Sequence, residues 1–330
     1  MRARGSRHRV LLAVLVVAGL LLTACGALPS PPAPTSSAAE APRVVVSTRS
    51  GRTVDWTVRT PSVPGEQPVR ILLPRTYDQH PGTRYPVLYL LHGCCDTFAS
   101  WTRSTDVLQL TEDAGVIIVM PDGGPVGFYS DWRRGPRWER YHTAELPRLL
   151  AARFRVNDRA AVAGLSMGGR GALAYAARHP GQYVAAASFS GMVDSSLSDY
   201  EPTVYLNLLL STDVGDPDDL WGDPVEHAAV WRAHDPYDLA PRLRGVALFV
   251  SCGTGEYGPF DTKVGEYDHD ETEQTLAAEN VAFVARLHAL GIPVQAEIGT
   301  PGTHTWPYWQ RELHHAWPLL ARALRIADAG

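Results

Sequence analysis

Ala160-Ala161-Val162-Ala163-Gly164-Leu165-Ser166-Met167-Gly168-Gly169-Arg170-Gly171-Ala172-Leu173-Ala174-Tyr175-Ala176-Ala177 runs from an apolar, strand-like stretch through a serine set between glycines into a helix former. A strand-to-helix turn tight enough to expose a serine hydroxyl leaves no room for Cβ atoms two positions before and after it. Gly164 and Gly168 meet that need. The helix that follows has a small first turn, able to pack close against a sheet, and its N-terminal dipole faces the serine. Strand, turn and helix in this order read as a nucleophile elbow; the alternative is an ordinary glycine-rich turn with an exposed serine.

Outward from this turn, apolar runs alternate with helical stretches, the pattern of a mostly parallel sheet covered on both faces. Strands are expected at Val54 to Val58, Val69 to Leu73, Val87 to Leu91, Val116 to Met120, Ala160 to Ala163, Val184 to Phe189, Val246 to Val250 and Val294 to Ile298. Helices are expected at Ala144 to Phe154, Gly169 to Arg178, Glu271 to Leu290 and Tyr308 to Ile326. With the elbow in place, this alternation predicts the α/β-hydrolase fold. Residues 195 to 243 interrupt the rhythm with Asp, Pro and Trp around the apolar patch Val204 to Leu210. Two readings of that insertion are open, a cap over the site or a peripheral packing unit.

At 330 residues with 20 % charged side chains, the chain has enough apolar content to bury a full core. A net charge of −5 without a long basic run excludes nucleic acid as a partner. Arg2, Arg4, Arg7 and Arg9 precede the apolar run Val10 to Leu22, too short to span a bilayer comfortably and suited to a signal-peptide core. Leu22-Thr23-Ala24-Cys25 resembles a bacterial lipobox, which implies cleavage before Cys25 and a lipid on that cysteine. Cleavage by the ordinary signal peptidase, without lipid, is the other reading. Pro29, Pro31, Pro32, Pro34 and Pro42 then mark an extended Pro/Ala/Ser-rich spacer. The expected organisation is a lipoprotein-type signal peptide at 1–24, a linker at 25–42 and one α/β-hydrolase domain at 43–330. The expected location is the cell envelope, with the chain held to the outer face of the plasma membrane through Cys25. The adjacent Cys94 and Cys95 can form a vicinal disulfide, and Cys252 reads as a small buried residue or a reactive thiol.

A serine hydroxyl needs a base within hydrogen-bond reach, itself oriented by a carboxylate. In the α/β-hydrolase order the base lies near the C-terminus, in a loop after the last strand, and His304 in Gly299-Thr300-Pro301-Gly302-Thr303-His304-Thr305-Trp306 fits. The segment Leu90-Leu91-His92-Gly93-Cys94-Cys95 leaves an early strand where this fold places one oxyanion amide. The expected donors are the main-chain N–H groups of Cys94 and Met167. Chain order fits five carboxylates as the acid: Glu256, Asp261, Glu271, Glu273 and Glu279. Asp268-His269-Asp270-Glu271 lacks regular ligand spacing, so no metal and no cofactor are expected.

These features together resemble the esterase D/mycolyltransferase family. The resemblance is carried by Leu88-Tyr89-Leu90-Leu91-His92-Gly93, Met120-Pro121-Asp122-Gly123-Gly124 with Phe128-Tyr129-Ser130-Asp131-Trp132, the elbow, and Gly302-Thr303-His304-Thr305-Trp306-Pro307-Tyr308-Trp309. It implies Ser166 as nucleophile, His304 as base and the two amides already named as oxyanion donors. Anchored on Asn280 and Phe283, the mycolyltransferase pattern places the acid at Glu273, whereas the esterase D pattern allows Asp261 or Glu256. Phe128, Tyr129, Trp132 and Trp306 are candidates to line the substrate cleft or, equally, to form a structural cluster. The family's aspartate and arginine that contact trehalose correspond here to His92 and Cys95, so the resemblance favours hydrolysis of small-molecule or lipid esters over trehalose mycolylation. Acyl transfer to another alcohol shares the same acyl-enzyme, and a non-catalytic envelope-binding protein is a third reading.

Overall fold

Tyr85–Leu91, Ile117–Pro121 and Ala185–Phe189 are buried at every position, as strands covered on both faces must be. The computed structural model describes residues 40–196, 216–262 and 269–326. The leader, Cys25, most of the linker and the patch Val204 to Leu210 lie outside the described residues. Nine described strands form one sheet: β1 (Arg43–Ser50), β2 (Thr53–Arg59), β3 (Glu66–Leu72), β4 (Tyr85–Leu91), β5 (Ile117–Pro121), β6 (Val156–Leu165), β7 (Ala185–Phe189), β8 (Ala247–Gly253) and β9 (Gln295–Thr300). Their order is β1-β2-β3-β5-β4-β6-β7-β8-β9. The pairs from β5 through β4 and β6 to β9 are parallel; β1 to β3 form an antiparallel edge that joins at β5.

Four described helices have eight or more residues: α1 (Leu146–Arg153), α2 (Met167–Arg178), α3 (Glu271–Ala289) and α4 (Trp306–Leu324). One core layer holds Leu150, Leu173, Leu276 and Phe283 of α1, α2 and α3 against the sheet. The opposite layer holds Trp309, Leu313 and Leu320 of α4 with Trp101 and Val107. Every sequence-expected strand and long helix is present, with ends shifted by a few residues.

Two features differ from expectation. Strand β1 was not anticipated: it is a sheet edge, mostly exposed, and so carries no alternating apolar pattern to read. The helix expected from Ala144 instead begins at Trp138 and passes through a π-turn at Tyr141–Glu145 before α1. Pro147 has no N–H to give the Thr143 carbonyl, which accepts from Gln182 Nε2 at 2.8 Å instead.

Candidate active site

Ser166 joins the end of β6 to the start of α2 with φ 52° and ψ −122°, a conformation that an L-residue adopts only when its surroundings impose it. Its N–H donates to the Phe189 carbonyl at 2.9 Å, and its carbonyl accepts from the Arg170 N–H at 3.1 Å. A Cβ on Gly164 would lie 2.3 Å from the Gly168 carbonyl oxygen, and one on Gly168 2.5 Å from that of Leu91. Both glycines are therefore fixed by backbone contact, as the sequence spacing implied.

His304 lies between β9 and α4 and lines the same cavity of about 470 Å³ as Ser166. Its Nδ1 is 2.7 Å from Glu273 Oε2 in the first turn of α3. Facing a carboxylate, Nδ1 must be the donor, which leaves Nε2 as the proton acceptor. Glu273 is 1 % exposed, and its other oxygen accepts from the Gly253 N–H at 2.6 Å, the Ser190 hydroxyl at 2.7 Å and the Cys252 thiol at 3.3 Å. Burial, with the Glu273 charge beside it, pushes the Cys252 thiol well up, so this sulfur is a protonated donor and not a thiolate. Ser190, itself at φ 47°, also accepts from Trp309 Nε1 at 3.1 Å, and the Trp309 ring stands edge-on to His304 with centroids 4.9 Å apart.

Of the five carboxylates that chain order allowed, only Glu273 has a hydrogen bond to the His304 ring among the described contacts. Asp261 instead accepts from Thr303 Oγ1 at 2.6 Å, Tyr308 Oη at 2.5 Å and the Gly258 N–H at 2.7 Å, so it braces the loop that carries His304. Burial would raise its carboxyl, but these hydrogen bonds outweigh that and hold it below the usual range. Glu271 is exposed at the helix start, and Glu256 bridges to His269 through the backbone. Glu279 lines the cavity and accepts from the Val193 N–H at 2.9 Å.

Cys94 lines the cavity, and Met167 opens α2, where no preceding helical carbonyl takes its N–H. The turn that carries Cys94 is held by His92. His92 Nε2 accepts from the Gly123 N–H at 2.8 Å, which makes Nδ1 the donor to the Gly93 carbonyl at 2.8 Å. Burial lowers the His92 pKa and keeps the ring neutral, as this pairing requires. Cys94 and Cys95 are joined as a vicinal disulfide.

The cavity wall is largely apolar. Thr272, Thr275, Leu276 and Glu279 form one stripe of α3, facing Leu165, Met192, Trp306 and Trp309. Trp306 lines the cavity, whereas Phe128 and Trp132 are not among its lining residues. Both are buried: Phe128 packs on Trp221 with centroids 5.8 Å apart, and Trp132 Nε1 donates to the Gly127 carbonyl at 3.1 Å. Tyr129 is likewise internal, donating to the His92 carbonyl at 3.0 Å. Their dense aromatic spacing serves the core. The described part of the 195–243 insertion packs on α2, where the Arg170 guanidinium lies 4.6 Å from the Trp221 ring centroid and Nη2 donates to the His234 carbonyl at 3.1 Å.

The Esterase family, described as "Putative esterase", matches residues 60–320. The chain belongs to this esterase family. The esterase is 33% identical over 259 residues to the diacylglycerol acyltransferase/mycolyltransferase Ag85B of Mycolicibacterium smegmatis, an alignment covering 72% of this chain and 77% of the relative. Among solved structures, MPT51 of Mycobacterium tuberculosis superposes with a TM-score of 0.66 at 23% identity, over 82% of the esterase and 97% of that chain. A ferulic acid esterase superposes with a TM-score of 0.59 at 25% identity, over 82% and 98%. The esterase has the α/β-hydrolase fold and is an enzyme of the serine-esterase and acyltransferase class.

Proposed function

We propose that the chain is an exported serine esterase in which Ser166 attacks an ester carbonyl, His304 takes and returns the proton, and Glu273 orients His304. The observation that carries this reading is the 2.7 Å contact of His304 Nδ1 with the buried Glu273, in a histidine that shares its cavity with the elbow serine. The main-chain N–H groups of Cys94 and Met167 hold the oxyanion, each worth about 2.7–4 kcal/mol of transition-state stabilisation. The first step forms the Oγ–acyl bond of Ser166 and expels the alcohol, protonated by His304. In the second step, water attacks the acyl carbonyl and gives a proton to His304, the Oγ–acyl bond breaks to release the acid, and His304 returns the proton to Ser166 Oγ. The apolar part of the cavity wall, Leu165, Met192, Leu276, Trp306 and Trp309, suits the acyl chain of a small-molecule or lipid ester. A domain beginning at residue 43 follows the linker at 25–42, and the leader at 1–24 is cleaved ahead of a lipid-bearing Cys25. No described helix is long and apolar enough to cross a membrane, so attachment in this reading rests on that lipid.

Acyl transfer to an alcohol is the second reading, favoured by the named activity of the relative Ag85B. Against trehalose as acceptor, the His92 ring is spent inside the protein on Gly123 and Gly93. The test is turnover of p-nitrophenyl esters from acetyl to palmitoyl by the purified protein and by Ser166→Ala, with and without added glycerol or trehalose. Hydrolysis lost in Ser166→Ala supports the esterase, acyl-glycerol as the main product favours transfer, and turnover that survives Ser166→Ala refutes both. Mass spectrometry of the membrane-extracted protein checks the anchor: an N-terminus beyond Cys25, without a diacylglyceryl adduct, refutes it.

A further inference from the structure

Around the candidate triad, one carboxylate holds two of its members at once. Asp270 precedes α3, and its Oδ1 accepts the Glu273 N–H at 3.1 Å, the ordinary work of an N-cap. Its Oδ2 accepts the His304 N–H at 2.9 Å. The acid and the base come from segments 31 residues apart, and this side chain ties their backbones together beneath the bond their side chains make. Asp270 is itself anchored: its N–H donates to the Gly255 carbonyl at 2.6 Å, while the Gly255 N–H donates to the Gly302 carbonyl at 3.0 Å. The end of β8, the start of α3 and the loop before α4 thus meet at one residue.

We propose that Asp270 is a positioning residue for catalysis, setting the distance between Glu273 and His304, beyond its role as a helix cap. The inference rests on the reading of Ser166, His304 and Glu273 given above. A cap needs one acceptor oxygen, whereas the tie to His304 needs a second, and only a carboxylate presents two acceptors here. In the native chain, torsional freedom of the His304 loop is removed at its backbone, so the imidazole does not depend on the Glu273 contact alone to find its place. Misplacing a catalytic group by about 1 Å costs on the order of 10²-fold in rate.

Asp270→Asn and Asp270→Ser separate the two roles, because Asn and Ser cap helices about as well as Asp but leave the His304 N–H without its acceptor. Steady-state hydrolysis of p-nitrophenyl butyrate by the full chain is measured with thermal unfolding of each variant, alongside Ser166→Ala and His304→Ala. The expected result is a kcat loss of about 10- to 100-fold in both Asp270 variants, with KM within about twofold and a Tm within a few degrees of the parent. Parental kcat in both variants, or a kcat loss matched by a collapse in Tm, overturns the proposal while the triad stands. Full activity in His304→Ala overturns the triad itself, and the proposal with it.

Discussion

Replacing Glu273 with Gln exchanges one oxygen for an amide and leaves the side chain the same size, so its effect is set by which end faces His304. Oε1 sits among three donors, the Gly253 N–H, the Ser190 hydroxyl and the Cys252 thiol. An NH₂ group placed there would face all three, so the amide carbonyl takes that corner and the nitrogen takes the position 2.7 Å from His304 Nδ1. That nitrogen can only donate, and His304 must then carry its proton on Nε2, the atom needed to accept the Ser166 proton. Holding the wrong tautomer costs a serine hydrolase about 10⁴ in kcat, or about 5.5 kcal/mol of barrier. Stability should be nearly untouched, because the three hydrogen bonds at the buried corner persist and no charge is left buried. The assay is kcat for p-nitrophenyl butyrate at pH 7.5 beside the Tm of Glu273→Gln. A variant within about tenfold of the parent refutes the tautomer argument and the assignment of Glu273 as the acid.

Gly168→Ala sets a Cβ 2.5 and 2.6 Å from the Leu91 and His92 carbonyl oxygens, backbone that cannot step aside. We expect about 1–3 kcal/mol of destabilisation in urea and a larger loss of turnover, since the displaced turn carries the Cys94 amide. Leu276→Trp fills the α3 wall of the cavity and should cut turnover of octanoyl esters at least tenfold more than acetyl, on the order of the 1–3 kcal/mol by which a pocket senses size; equal losses refute the placement of the acyl chain. Burial lowers the pKa of His142 to about 3 and of His234 to about 4, so the unfolded chain takes up protons first as pH falls below its ordinary value near 6.5. Stability is therefore full above pH 6.5 and declines on acidification, by about 2 kcal/mol per histidine between pH 6.5 and 5, and urea midpoints unchanged across that range refute it.

The strands β4 to β8 were legible because burial on both faces writes near-continuous apolar runs, as in Val87-Leu88-Tyr89-Leu90-Leu91. Strand β1 was not, because an edge strand held only by β2 has no face that demands apolar residues. At the site, Ser166 is announced by glycines that steric contact with backbone requires, and His304 by its place after the last strand. The acid stayed ambiguous in sequence because five carboxylates satisfy chain order, and only the fold brings one of them to the imidazole. Asp270 had a readable signature that was passed over: an aspartate three residues before a glutamate at a helix start is a capping pattern. Its second bond, to a backbone amide 34 residues away, has no local pattern at all. Ser190 and His92 act the same way, through contacts that exist only after folding. The Phe128-Tyr129-Ser130-Asp131-Trp132 block left both of its readings open, because aromatic residues that fill a core and those that line a cleft are the same residue types.

The proposed base enters the site from the far end of the chain. Every strand through β8, the elbow and the turn bearing Cys94 precede Gly302, while His304 waits for β9 and the docking of α4. The strand and helix that hold Ser166 are thus complete in the sequence well before the residue proposed to arm it. In the proposed mechanism Ser166 stays an ordinary alcohol until the loop between β9 and α4 brings His304 beside it. Under that mechanism acyl-enzyme formation requires the C-terminal loop in place, so labelling by a serine-directed fluorophosphonate would count fully folded molecules.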